Sequence, residues 1–171
     1  MALGTDYANQ DCSLAKALEL VGERWTLLIL RDCFFGVRRF SDFLTHLDMS
    51  KAVLSQRLSR LVESGLLERA RSGGREEYVL TESGRALWPA LYALTQWGDA
   101  QTSPGGPRRI FAHAQCGTDL VVTGSCPACG RVPPPEELEM RPGPGSSAQP
   151  RAHPMSVALR SPRRVLEPLR P

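Results

Sequence analysis

Apolar side chains recur at spacings of three and four residues along the first hundred positions, which is the period of an amphipathic helix. This pattern predicts helices over residues 12–22, 25–36 and 40–47, and a longer helix over residues 81–101. Between residues 25 and 36 the apolar positions are so dense that this helix must be nearly buried. The sequence therefore predicts a mainly α-helical domain over residues 12–101.

Residues 50–65 predict a strongly two-sided helix. Ser50 is a favourable N-cap, and Gly65 is a common residue just after a helix end. One side is apolar and comprises Val53, Leu54, Leu58, Leu61 and Val62. The other side is cationic and rich in hydroxyl and amide groups, and it comprises Lys51, Ser55, Gln56, Arg57, Ser59 and Arg60. Cations suit DNA phosphates, and groups that both donate and accept hydrogen bonds suit base edges. An ordinary solvated helix is the alternative interpretation.

Two short segments follow on either side of residues 72–74, which read Ser-Gly-Gly. A Gly-Gly pair between such segments predicts a β-hairpin, with Arg69, Arg71 and Arg75 near its tip. A short helix over residues 40–47, a second cationic helix and an arginine-tipped hairpin are the layout of a winged helix-turn-helix. We expect Arg71 and Arg75 to hold the DNA backbone.

Positive charge is concentrated in the same region. The chain of 171 residues has a net charge of +3, and residues 1–100 are nearly neutral, with 12 basic and 13 acidic residues. Residues 50–75, by contrast, carry six basic residues against Glu63 and Glu68. A basic patch on a near-neutral body is expected of a protein that binds nucleic acid.

The sequence also argues against membrane and secreted classes. No apolar run has the length of a membrane span. The N-terminal residues lack the basic and apolar regions of a signal peptide. We therefore expect a cytoplasmic protein with no membrane partner.

The helix over residues 81–101 carries more aromatic side chains than a small domain needs for its own core. Trp88, Tyr92 and Trp97 lie beside its main apolar stripe, and Pro89 is expected to bend it. Aromatic residues are enriched in subunit interfaces, so this helix predicts a homodimer. A dimer also suits DNA, because two recognition helices ~34 Å apart read the two halves of a palindrome.

The chain contains six motifs in this order: Cys12, LVGERWTLLILRD at 20–32, RFSDF at 39–43, SKAVLSQRL at 50–58, EYVLTESGR at 77–85, and the Trp97-Gly98 pair. Together they resemble the HxlR-type transcriptional regulators, a winged helix-turn-helix family related to the MarR regulators. The resemblance implies a homodimeric cytosolic repressor or activator that is not an enzyme. In such proteins the helix matching residues 50–64 enters the major groove of operator DNA.

The same resemblance singles out Cys12, because several members of the family sense oxidants or electrophiles through a cysteine at the matching position. A thiol at a helix N-terminus is stabilised as the reactive thiolate by unpaired backbone N–H groups. Cys12 is therefore the redox-sensing candidate, with a purely structural thiol as the alternative. Cys33 falls in the buried helix over residues 25–36 and is expected to be inert.

A cluster of candidate metal ligands lies beyond this domain, after a Pro/Gly linker over residues 102–109. Two close pairs of nitrogen and sulfur ligands suit tetrahedral Zn²⁺. Residues 110–131 are therefore expected to form a small zinc-ribbon-like hairpin that holds structural zinc. Its ligands are His113, Cys116, Cys126 and Cys129. A redox dithiol at Cys126 and Cys129, or no metal at all, are the alternatives.

Residues 132–171 hold ten of the 14 prolines of the chain, together with glycine, serine and scattered arginine. A segment of this composition has too little apolar surface to fold alone. It predicts a disordered Pro-rich tail.

These observations favour a sequence-specific DNA-binding transcriptional regulator, in which Gln56 reads adenine and Arg57 or Arg60 contacts guanine or phosphate. One alternative is a winged-helix adaptor that docks a protein partner through the basic helix and the zinc hairpin. Another is a thiol–disulfide enzyme built on Cys126 and Cys129, although this pair lacks the βαβ context of such enzymes. The operator, the regulated genes and the effector are not encoded in any pattern of the sequence.

Overall fold

A computed structural model of the chain describes residue 7, residues 9–147 and residues 152–170. The first part of the chain is helical, apart from one antiparallel hairpin. Its elements are α1 (Ser13–Val21), α2 (Thr26–Phe34), α3 (Phe40–Leu47), α4 (Lys51–Glu63), β1 (Leu67–Ser72), β2 (Arg75–Leu80), α5 (Glu82–Arg85) and α6 (Trp88–Thr102). The prediction of a mainly α-helical fold with a small β-hairpin wing is confirmed.

Two of the helix starts are fixed by their predicted side-chain caps. The Ser50 hydroxyl accepts a hydrogen bond from the backbone N–H of Val53 at 3.3 Å, and the Thr81 hydroxyl accepts one from Gly84 at 3.1 Å. The single helix predicted over residues 81–101 is instead two helices, α5 and α6. Pro89 lies in the first turn of α6, where its missing N–H costs nothing, so it does not bend the helix.

The wing is a regular hairpin. Its register pairs Leu67 with Leu80 and Ser72 with Arg75, leaving a two-residue turn at Gly73 and Gly74. Both glycines have positive φ, at 56° and 77°, as a type I′ turn requires. The hairpin therefore carries Arg71 and Arg75 next to its tip.

The remaining elements form a second antiparallel sheet. They are β3 (Arg109–His113), β4 (Thr118–Asp119), a 3-10 turn (Pro135–Glu137), β5 (Leu138–Pro142), α7 (Pro154–Ala158) and β6 (Arg163–Arg164). The strand order is β4-β3-β5-β6, and β3 pairs with β5 over its whole length. The region of the predicted zinc hairpin thus shares one sheet with the region of the predicted tail.

The prediction of a disordered tail is wrong for the residues that the structure describes. Five apolar side chains of this segment are at most 2 % exposed and belong to the main core, namely Leu138, Met140, Met155, Leu159 and Val165. The composition of the segment rules out a core of its own. It folds because α2 and α6 offer an apolar surface on which it packs.

Aromatic rings join the two halves of the molecule. Phe111 of β3 lies 5.2 Å from Trp88 and 5.7 Å from Tyr92, measured between ring centroids. Trp88 in turn lies 5.0 Å from Phe34 of α2. Such pairs contribute about 0.5–1.5 kcal/mol each beyond the area they bury, so the second sheet is part of the main core.

The chain returns to α2 near its end. The backbone N–H of Leu166 donates to the carbonyl of Phe34 at 2.7 Å, and that of Leu169 donates to Gly36 at 2.8 Å. Gly36 has a φ of +91°, and a Cβ built there would lie 1.9 Å from the carbonyl oxygen of Glu167. Only glycine fits at this position.

None of the helices in the described part of the chain combines the length and apolar character that crossing a bilayer requires.

Candidate nucleic-acid interface and metal site

The exposed face of α4 is polar, and its opposite face is firmly anchored. Leu54, Leu58 and Leu61 are at most 1 % exposed. Of the predicted groove residues, Lys51, Ser55, Gln56 and Arg60 are exposed. The face that α4 presents to solvent therefore offers cations, a hydroxyl and an amide, as the sequence indicates.

Arg57 is placed differently from the other predicted groove residues. Its guanidinium forms an ion pair with Glu23, and only 13 % of its side chain is exposed. Arg60 pairs with the other carboxylate oxygen of Glu23 at 2.8 Å but remains 57 % exposed. Glu23 thus ties α4 to the α1–α2 turn. In this structure Arg57 positions the helix, and a base contact would require it to leave that ion pair.

The three arginines of the wing are all exposed but have different neighbours. Arg71 and Arg75 are exposed beside the turn. Arg69 instead lies over the ring of Tyr78, with its guanidinium carbon 5.9 Å from the ring centroid. Near the turn, the Arg170 side chain donates to the Ser72 hydroxyl at 3.4 Å. The wing tip therefore offers two arginines, Arg71 and Arg75, with no ion pair among the described residues.

A buried charge network that the sequence does not reveal orients α3 against α2. Asp32 is fully buried, and its two oxygens lie 2.7 Å from Nη2 of Arg31 and 2.7 Å from Nδ1 of His46. Burial alone would raise the pKa of Asp32, but the positive charge of Arg31 and the hydrogen bond from His46 lower it below its usual 3.8. In the sequence, the sign of this network is an aspartate that follows Arg31 in a mostly apolar helix. No sequence pattern pairs that aspartate with His46.

The four predicted metal ligands come together in the structure. Their ligand atoms all lie within 4.8 Å of one another. His113 Nδ1 lies 3.4 Å from the sulfur of Cys116 and 3.3 Å from that of Cys129. The Cys116 sulfur lies 3.5 Å from that of Cys126 and 3.6 Å from that of Cys129. This cluster can hold a metal ion.

The dimensions of the cluster fit tetrahedral zinc. Zn–S bonds of ~2.3 Å and Zn–N bonds of ~2.0 Å separate neighbouring ligand atoms by about 3.5–3.8 Å. The four individual distances given above, 3.3–3.6 Å, lie at or just below that range, and the other two pairs of ligand atoms lie within 4.8 Å. All four positions of the tetrahedron would be taken by protein, so the residues suit a structural role for the metal.

The surroundings of the cluster also suit a cation. Hydrogen bonds from Thr118 lower the pKa of Cys116 to about 6, whereas hydrogen bonding to its neighbouring thiols raises the pKa of Cys129 to about 11. Three thiols this close cannot all ionise unless a positive charge lies between them. On the outer side, Nε2 of the fully buried His113 lies 3.2 Å from a carboxylate oxygen of Glu137. Arg131 donates to the same carboxylate and lies 3.2 Å from Nε2, so both groups hold the outer edge of the His113 ring while Nδ1 faces the thiols.

The two remaining cysteines have opposite environments. Cys12 is exposed and occupies the N-cap position of α1. Cys33 is buried in α2, and burial raises its pKa well above the usual 9.0. The thiol of Cys33 is therefore unreactive, whereas that of Cys12 is accessible to oxidants.

A helix-turn-helix whose second helix is polar and cationic on its outer face, followed by a two-stranded wing, defines a winged helix-turn-helix DNA-binding regulator. Residues 20–105 match the HxlR-like helix-turn-helix family, and the chain belongs to that family. The protein is therefore a transcriptional regulator of the helix-turn-helix class.

Relatives from two bacteria are described in the same way. An uncharacterized HTH-type transcriptional regulator of Mycobacterium tuberculosis is 45% identical over 141 residues, which cover 80% of this chain and 89% of the relative. The uncharacterized HTH-type transcriptional regulator YdeP of Bacillus subtilis is 29% identical over 104 residues, or 57% of this chain and 81% of its own. The alignment with the M. tuberculosis protein spans 141 residues, which is more than the chain has up to residue 105, where the family match ends. The similarity therefore continues into the second sheet.

A solved structure agrees with the fold. The crystal structure of PA1607, described as a candidate transcription factor, shares 42% identity with this chain at a TM-score of 0.52. The match covers 54% of this chain and 66% of PA1607.

Proposed function

We propose that the protein is a homodimeric, sequence-specific regulator that binds operator DNA by inserting α4 into the major groove. The observation that carries this proposal is the exposed face of α4, where Lys51, Ser55 and Gln56 lie on a helix that is anchored by three buried leucines. Phosphate contacts position such a helix, and base contacts specify the sequence. Names of the relatives support regulation without enzymatic activity.

The groove residues have distinct roles in this proposal. Gln56 is the adenine reader, because its amide can donate and accept along one base edge. Lys51 and Arg60 contact phosphate or guanine, and Arg71 and Arg75 hold the backbone beside the wing. Arg57 acts from behind the helix, through its ion pair with Glu23.

A second copy of the chain is the proposed partner for an exposed apolar surface on α1 and α6. Leu14 is 66% exposed, Leu94 53% and Trp97 65%. Large apolar and aromatic side chains are enriched in subunit interfaces, which supports a role for these exposed positions in dimerisation. Dimerisation through these helices would place two copies of α4 on the two halves of a palindrome. Cys12, at the start of α1, is the proposed oxidant-sensing thiol, because a modified Cys12 would lie beside this interface.

We also infer that His113, Cys116, Cys126 and Cys129 bind a structural zinc ion. The support is the fit of their spacing to a tetrahedron and the carboxylate behind His113. The hairpin they close packs on α6, since the Tyr92 hydroxyl donates to the carbonyl of Val121 at 2.9 Å. Zinc at this position would supply charge that lets three thiolates coexist, and it would stiffen the surface under α6.

Band-shift titrations of the full-length chain on its own upstream DNA, at two salt concentrations, test the DNA-binding proposal. We expect Gln56→Ala to reduce the difference in binding free energy between specific and non-specific DNA by about 1–3 kcal/mol. We expect Arg75→Ala to weaken binding to every duplex alike and to lower the salt slope by about one. Glu82→Ala, an exposed change on α5, is the control and should leave both quantities unchanged.

Equal affinity of the wild-type protein for all duplexes would contradict a sequence-specific regulator. Negligible affinity for any duplex would favour the adaptor alternative, in which the same basic helix and the metal hairpin dock a protein.

A further inference from the structure

A cavity of about 500 Å³ lies between α2, α6 and the second sheet. Its apolar wall is formed mainly by leucines of α2 and α6, by Phe35 and by Leu159 of the C-terminal region. Cavities of ~300–1,000 Å³ with mostly apolar walls and a few placed polar groups are typical of small-molecule sites. Because β3 and the segment after α7 contribute to the wall, the cavity depends on residues beyond the family match at 20–105.

The charged groups on this wall are unbalanced. Arg31 is paired with the buried Asp32 at 2.7 Å, and Arg108 is paired with Asp99 at 3.3 Å. Arg109 has no carboxylate partner within salt-bridge distance among the described residues, and its guanidinium donates instead to the carbonyl of Leu159. The wall therefore carries one arginine more than its acids neutralise.

Arg109 is also held in a position suited to a ligand. It is half-buried, and its guanidinium lies over the ring of Phe35, 5.9 Å from the centroid. Burial and the nearby charges of Arg31 and Arg160 lower its pKa below the usual 12.5. A bound anion would relieve this repulsion, because it adds the missing negative charge where water is partly excluded.

The geometry points to a binding site for a small organic anion, with an apolar body seated on the leucines and Phe35 and one carboxylate facing Arg109. An uncharged apolar molecule would leave Arg109 without a partner. An inorganic anion would leave the apolar wall uncovered. The combination of both surfaces selects an amphipathic carboxylate.

Ligand binding at this cavity has a direct route to α4. His46 of α3 borders the cavity and also bonds Asp32, which fixes α3 against α2. An anion near Arg31 competes with Asp32 for its partner and so biases the packing of α3, the helix that precedes α4. This regulatory consequence rests on the DNA-binding function proposed above, whereas the binding site itself does not.

Isothermal titration of the full-length protein with 1-naphthaleneacetate and with its uncharged analogue 1-naphthaleneacetamide tests the site without DNA. We expect the acid to bind at least tenfold more tightly than the amide. Arg109→Met keeps the apolar stem and should remove that preference. Arg164→Met, on the exposed edge strand β6, is the matched control and should keep it.

Thr95→Glu provides an independent variant if Arg109→Met does not fold, because Thr95 is a partly exposed residue of the wall on α6. It should weaken binding of the acid at least tenfold more than binding of the amide, because the added negative charge repels only the acid. Equal binding of acid and amide to the wild-type protein, or no binding of either to folded protein at millimolar concentration, overturns the proposal. DNA affinity measured without ligand tests the proposed function separately, so the two failures are distinguishable.

Discussion

Asp32 shows how one buried side chain orients α3, the helix before α4, against α2. Its carboxylate has no exposure and joins Arg31 to His46. We expect Asp32→Asn to lower the free energy of unfolding by about 2 kcal/mol at pH 7, because it removes the charged acceptor shared by the partly buried Arg31 guanidinium and the His46 ring. Chemical denaturation measures this loss, and Asp42→Asn, a partly exposed residue of α3, is the control.

The pH dependence of that difference follows from the direction of the pKa shift. The pKa of Asp32 is lower in the folded protein than its usual 3.8. Its stabilising contribution is therefore complete above that value and is lost as the pH falls through the lower, folded pKa. The difference in free energy of unfolding between wild type and Asp32→Asn should shrink as the pH falls below about pH 4. A gap that stays constant down to pH 3 would contradict this assignment.

Cys126 offers the sharpest test of the metal site, because its side chain is fully buried within the cluster. Metal analysis of the purified wild-type protein should give about one zinc per chain, and Cys126→Ser should abolish it. Cys12→Ser, which removes a thiol outside the cluster, should leave the zinc content unchanged. Metal-free, fully folded protein in which Cys116, Cys126 and Cys129 all react readily with an alkylating agent would refute the site.

At the residue scale, the spacing of nearby residues predicts which side chains come together. An ion pair between residues far apart in the sequence cannot be predicted in this way. The His-x2-Cys and Cys-x2-Cys spacings indicate four candidate ligands that the structure brings together, because each pair lies on one tight turn. Arg57 looks equivalent to Gln56 and Arg60 along α4, yet its role depends on Glu23, which lies more than 30 residues earlier. The partner of an ion pair across two elements has no periodic signal.

Among the elements, the turn after α2 is the most constrained. Gly36 has positive φ and receives the carbonyl of Glu167 where a Cβ would be. We expect Gly36→Ala to lower the free energy of unfolding by more than about 2 kcal/mol, because backbone strain and steric overlap add. Gly65→Ala is the matched control, since φ there is +69° but no atom lies within 4 Å of the added Cβ.

The control should cost about 1 kcal/mol, which is the left-handed strain alone. Equal losses for the two variants, measured by urea denaturation, would show that the C-terminal segment does not pack against this turn in solution.

The elements of the first hundred residues could be predicted from sequence because each has a local cause. Ser50 and Thr81 cap their helices, and Gly73-Gly74 closes the wing. The second sheet has no such cause. β4 and β6 have two residues each, and β5 pairs with a strand about 30 residues away. The apolar residues of the second sheet are few. They indicate a buried position only when the surface of α2 and α6 is already known.

At the scale of the whole molecule, the proposed dimer makes a prediction about α6. Trp97 is 65% exposed, and Val122 in the metal hairpin is 68% exposed. We expect Trp97→Asp to raise the dimer dissociation constant by at least 100-fold, or about 3 kcal/mol, as a buried aromatic contact would. Val122→Asp should change it less than threefold. Analytical ultracentrifugation measures both, and equal effects would place the interface elsewhere.

The hydrogen bonds from Leu166 and Leu169 to the end of α2 can form only after almost the whole chain has been synthesised. Gly36 and Leu169 are separated by about 130 residues. At ~5–20 residues per second, on the order of ten seconds pass between synthesis of the two. During that interval the winged helix exists without the segment that bonds to the end of α2, and the apolar surface that this segment buries is open to chaperones or to other nascent chains. A premature stop after α6 would make that interval permanent, so we expect the C-terminal segment to determine how well the winged helix-turn-helix domain escapes aggregation after synthesis.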